Sequence, residues 1–115
     1  MKAVFVEMPA FTRYRSTYLS DAAFSAIQQL LINNPDAGAL IPGAGGLRKL
    51  RFADAERHRG KRGGLRVIYF WWQEGKQFWL FTLYGKGEML GLSAQQTSAL
   101  KKLIKAELRA RQKLK

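Results

Sequence analysis

Two runs, residues 65–72 (LRVIYFWW) and residues 78–84 (FWLFTLY), restrict the possible folds more than anything else in the chain. Both are β-branched and aromatic, and both are apolar at odd and even positions alike. Successive side chains of a strand alternate between the faces of a sheet, so runs of this kind need cover on both sides. Glu74-Gly75-Lys76 between them reads as a hairpin turn. The pair is expected at the centre of a sheet. With 115 residues, 47% of them hydrophobic, the chain can build one domain with a real core but not two.

The remaining elements follow from periodicity and punctuation. Residues 2–7 (KAVFVE) read as a short opening strand, with Pro9 just beyond it. Phe11, Tyr14 and Tyr18 follow at helical spacing. A second helix is capped by Ser20 or Asp21, carries Phe24, Ile27 and Leu31 on one stripe, and stops at Asn33-Asn34-Pro35. Residues 36–46, with Pro42 and four glycines, read as a loop. Residues 47–53 form a short basic strand. Ser93 caps a last helix with Leu100, Leu103, Ile104 and Leu108 on one face and Lys101, Lys102, Lys105 and Arg109 on the other. The expected order is β-α-α-β-β-β-α over residues 1–115, a small single-domain α+β fold.

The formal charge of +12 is concentrated rather than spread. Residues 48–66 hold eight basic side chains against Asp54 and Glu56, and residues 101–115 hold seven against Glu107. Elsewhere acids and bases cancel. Two cationic blocks of this kind attract polyanions. With no cysteine and one histidine, His58, disulfide scaffolds, cysteine-ligated zinc and Ser-His-Asp sites are excluded. No cofactor or metal is expected. No apolar run approaches the roughly 18–20 residues that span a bilayer. Residues 1–8 do not read as a signal peptide, so a soluble cytoplasmic protein without a membrane partner is expected.

Strand alternation sorts the central cations. If Leu50 and Phe52 face the core, Lys49 and Arg51 share the opposite face. Arg59, Lys61 and Arg62 sit in a Gly-bounded loop (RGKRGG) suited to a phosphate backbone. Arg66 lies inside an apolar strand. A guanidinium there is costly unless it meets a wet cleft, an anionic partner, or a buried acid such as Glu7 or Glu88. Lys86 emerges in YGKGE at the end of the last strand; GKG alone is not a Walker A loop, and a nucleotide-hydrolysing reading is discarded. A cluster of cations can cut RNA through its own 2′-hydroxyl without histidine. Neighbouring like charge favours a neutral amine, so a lysine, here Lys49, can act as base. Arg66 can brace the phosphate with two hydrogen bonds as negative charge builds.

GGLRKLRF, GKRGGLRVIYFW and WLFTLYGKGEM, followed by a polar C-terminal helix, resemble the HigB/RelE toxins of bacterial type II toxin–antitoxin modules. The likeness covers nearly the whole chain. It implies a RelE-like fold, a mainly antiparallel sheet with helices packed on it. It also implies a metal-independent, ribosome-dependent endoribonuclease (an mRNA interferase) that inhibits translation and is neutralised by a cognate, HigA-like antitoxin. Carried over by position, the catalytic set is Lys49, Arg51, Arg66 and Lys86. Arg48, Arg59, Lys61, Arg62, Tyr84, Lys101, Lys102, Lys105 and Arg109 are expected to bind RNA, the last four on the ribosome. RelE-type enzymes often carry a second basic residue after GK and a tyrosine further on. Gly87 and Leu92 stand there instead. Tyr84 is the nearby aromatic that can replace that tyrosine, and His58 is a second candidate acid.

Two other functions remain open at this point. One is a ParE-like toxin that poisons DNA gyrase by protein contact, which would not need four cations around one cleft. The other is a non-catalytic RNA-binding domain that leaves translated messages intact.

Overall fold

The computed structural model describes residues 2–53, 64–86 and 93–113. The elements run β1 (Val4–Glu7), α1 (Pro9–Tyr18), α2 (Asp21–Asn33), β2 (Ala39–Leu40), β3 (Arg48–Phe52), β4 (Leu65–Trp72), β5 (Gln77–Gly85) and α3 (Ala94–Lys113). The strands form one sheet in the order β1-β5-β4-β3-β2. β1 runs parallel to β5, and the other neighbours are antiparallel. Both aromatic runs are therefore interior strands, as their two-sided apolarity requires.

Local chemistry explains the helix boundaries. Pro9 opens α1, where its missing N–H is no loss. The Ser20 hydroxyl accepts the Ala23 N–H at 3.1 Å and starts α2. Ser93 and Gln96 form a reciprocal capping box, Gln96 N–H to Ser93 Oγ at 3.1 Å and Ser93 N–H to Gln96 Oε1 at 2.9 Å.

Each face of the sheet has its own core. Phe11, Phe24, Ile27 and Leu31 of α1 and α2 pack on Leu50, Leu65, Val67, Tyr69, Phe78, Leu80 and Leu83. On the other face, Ile104 of α3, flanked by Leu100 and Leu108, packs with Leu47, Ile68, Trp72, Trp79, Phe81 and Tyr84. Leu103 is not part of that face: it is 43% exposed, a correction to the expected apolar stripe. Residues 36–46 also hold more order than a loop, since Ala39 and Leu40 pair with Lys49 and Arg48. The glycines and Pro42 hid that two-residue strand.

One buried hydroxyl secures the turn that leads into β2. Tyr69 is fully buried; its hydroxyl donates to the Pro35 carbonyl at 2.7 Å and accepts the Gly38 N–H at 3.0 Å. Burial pushes its pKa further above the ordinary 10.0, at which a phenol is already a donor at neutral pH. Gly38 has no room for a side chain, because a Cβ would come within 2.7 Å of that ring. Tyr69→Phe strands one buried donor and one acceptor, and is expected to cost about 1–3 kcal/mol in urea titration. An unchanged midpoint would show that the turn holds without the hydroxyl.

No helix among the described residues is long and apolar enough to cross a membrane.

Candidate nucleic-acid interface and active face

Register brings the central cations together. On β3, Leu50 and Phe52 join the core under α1 and α2, so Lys49 and Arg51 share the face on which α3 packs. Arg51 is directly opposite Arg66 on β4, and Arg66 is directly opposite Tyr84 on β5. Lys49 lies opposite Ile68, one step along on the same face. Lys86 follows β5, exposed, two residues beyond Tyr84. Directly opposed like charges such as Arg51 and Arg66 are a cost in a sheet. A strand pair built for stability alone would avoid them.

Burial grades across this row. Tyr84 is 7% exposed, Arg66 is 9% exposed, and Arg51 at the β3 end is open to solvent. The Arg66 guanidinium donates to the Gly64 carbonyl at 2.8 Å, which fixes it at the start of its strand. The Tyr84 pKa is raised by burial, and the Arg66 and Arg51 charges pull it partly back. Both guanidiniums therefore act on the same phenol. Of the two acids considered for Arg66, Glu7 is taken by Arg15 at 3.1 Å. Glu88 lies outside the described residues.

Tyr84 owes its position to a β-bulge. Ile68 pairs with Thr82 and Tyr69 with Leu80, leaving Phe81 as an extra residue in β5. Strict alternation from Phe78 and Leu80 would turn Tyr84 toward α1 and α2. The inserted residue reverses the phase, so Leu83 enters that core and Tyr84 reaches the Arg66 face. Nothing in FWLFTLY marks the bulge, and sequence reasoning could judge Tyr84 only by its proximity to GK.

Other expected residues are distributed differently. Arg48 lies on the opposite face from Arg51, bound to the Gly38 carbonyl at 2.8 Å and to Asp36 at 3.3 Å. It braces the turn before β2 and does not join the cationic row, because an even-numbered β3 residue cannot share a face with 49 and 51. His58, Arg59, Lys61 and Arg62 lie outside the described residues. On α3, Lys102, Lys105 and Arg109 are exposed. Lys101 is half-buried, with its stem so close over Gly45 that a Cβ there would meet Lys101 Cγ at 2.9 Å. It therefore belongs to the seam of α3 rather than to its outward face.

An open groove of about 800 Å³ beside β3 and the end of α2 is lined by Leu30, Asn34, Ala37, Lys49, Arg51 and Phe52 among others. Among the described residues no cluster of three or more His, Cys, Asp or Glu is placed to hold a metal ion.

No protein-family model matches the chain. Among solved structures, the isolated E. coli RelE toxin aligns with a TM-score of 0.50 at 16% sequence identity, over 89% of this chain and 99% of that one. At that identity the likeness concerns the fold. The chain, with helices packed on both faces of a mostly antiparallel sheet, has the RelE-like fold.

Proposed function

We propose that the protein is a RelE-type toxin, a HigB-like endoribonuclease that cuts messenger RNA on translating ribosomes in the cytoplasm and is held in check by a HigA-like antitoxin. The observation that carries this reading is the alignment of Arg51 and Arg66 in register on one sheet face, with Lys49 beside them. Gyrase poisoning gives such a row no task.

In the reaction the 2′-oxygen bonds to the adjacent phosphorus and the bond from phosphorus to the 5′-oxygen breaks. The products are a 2′,3′-cyclic phosphate and a 5′-hydroxyl. Lys49 takes the 2′-hydroxyl proton. Arg66 and Arg51 hold the non-bridging oxygens and offset the charge that grows on them in the transition state. Lys86, at the strand end, holds a flanking phosphate. Arg59, Lys61 and Arg62 are proposed to bind further RNA phosphates. An acidic antitoxin segment would neutralise the toxin by covering Lys49 and Arg51 at the groove beside β3.

The test is primer extension on a message translated in vitro. New 5′ ends are expected with the protein present, and only while ribosomes are translating. Bound but intact message would support an RNA-binding domain instead, and trapped gyrase–DNA cleavage complexes would support the ParE-like reading.

Lys102, Lys105 and Arg109 occupy successive turns of α3, about 10 Å from end to end, and are proposed to bind ribosomal RNA. Reversing Lys102 and Lys105 to Glu should weaken ribosome binding and flatten its log–log salt dependence by about two units. An unchanged slope would mean that this face only keeps the protein soluble.

A further inference from the structure

Cleavage by the route above leaves one proton unaccounted for. The departing 5′-oxygen is a poor leaving group unless it is protonated, and lysine acting as base cannot also supply that proton in the same step. Arginine holds its protons too firmly to give one up. Among the described residues on the α3 face, the Tyr84 hydroxyl is the group with a transferable proton that stands directly opposite Arg66; the Lys86 ammonium lies two residues further on, exposed at the strand end.

Three features of the structure favour it. Tyr84 is directly opposite Arg66, and Arg66 is directly opposite Arg51, so the three side chains rise from adjacent strands on one face. Adjacent strands are about 4.8 Å apart, so a phosphate held by the two guanidiniums is within reach of the phenol. The Phe81 bulge is what gives Tyr84 this position; an unbulged β5 would turn it into the opposite core. Bulges beside active sites commonly serve to re-aim one side chain. Finally, a phenol is protonated at neutral pH, and the Arg66 and Arg51 charges, which pull the Tyr84 pKa partly back from the rise caused by burial, favour the phenolate that proton donation leaves behind.

Building on the ribonuclease reading, we propose that Tyr84 is the general acid: its hydroxyl gives its proton to the departing 5′-oxygen as the phosphorus–oxygen bond breaks. The phenolate left behind is held by the adjacent Arg66 and Arg51 charges and is reprotonated from water before the next turnover. Tyr84 is thus a catalytic residue, and the two arginines serve both the phosphate and the phenolate.

Tyr84→Phe removes the proton and keeps the ring that packs near Ile104 and Trp79. The full-length variant and wild type are compared on ribosomes programmed with an ordinary message, and with one carrying a bridging 5′-sulfur at the cleavage site. A thiolate leaves without protonation, so it needs no acid. On the ordinary message Tyr84→Phe should be slower by about 10²–10⁴-fold. On the sulfur message it should cut as fast as wild type, a result that also shows the variant is folded. Equal slowing on both messages, or no slowing on the ordinary one, would overturn the assignment while the ribonuclease reading stands. If wild type cuts neither message, the ribonuclease reading itself falls and Tyr84 loses its role with it.

Discussion

Arg66→Ala is expected to reduce message cleavage by about 10³-fold, near 4 kcal/mol of transition-state stabilisation, with little change in ribosome binding. Arg66 is the buried cation of the row and the one flanked on both sides, by Arg51 across one strand pair and by Tyr84 across the other. Its hydrogen bond to the Gly64 carbonyl aims the guanidinium before substrate arrives. A donor fixed in advance loses little on binding, and one in a buried setting acts more strongly than it would in water. Arg66→Lys should recover only a minor part of the rate, because an ammonium lacks the planar fork that holds two phosphate oxygens together. Single-turnover cleavage on programmed ribosomes, alongside a binding titration, separates the two effects. Full cleavage by Arg66→Ala would remove the centre of the proposed site.

The largest effect on stability is expected at Trp79. Its ring is fully buried at the centre of the α3 face and packs 5.1 Å from Phe70 and 5.9 Å from Trp72, centroid to centroid. Arg111 of α3 lies over it at 5.1 Å, and its indole N–H donates to Gln77 at 3.0 Å. Trp79→Ala removes the surface on which the helix rests and leaves a cavity that rigid β4 and β5 cannot close. The expected cost is about 3–5 kcal/mol, a large part of the roughly 5–15 kcal/mol available to a domain of this kind. Circular dichroism should show the melting temperature falling by more than about 10 °C. A fall of only about 2 °C would mean that α3 is anchored elsewhere.

Much of this site is legible in one dimension. Whether 49 and 51 share a face depends only on the two-residue period of a strand, and Leu50 and Phe52 declare which face is buried. Arg66 stands out because a guanidinium in an apolar run conflicts with its neighbours. Arg48 shows where such reasoning fails. Its composition matches that of Lys49 and Arg51, yet its parity puts it on the other face, where Asp36 and the Gly38 carbonyl hold it. The α3 cations divide for a similar reason, since Lys101 falls at the margin of the apolar stripe and lies over Gly45.

The linear pattern by itself determined the three helices and every strand but β2, the interior position of the two aromatic strands, and the concentration of positive charge. Each of these depends on neighbours within a few residues, through hydrophobic period, capping and turn chemistry. Only the tertiary structure decided that Arg51, Arg66 and Tyr84 form one row. That arrangement depends on the register of three strands and on an inserted residue at Phe81, which are chosen by the packing of Leu83 under α1 and α2 and Trp79 under α3. A one-residue shift reverses every side chain beyond it, and its energy comes from contacts between elements distant in the chain.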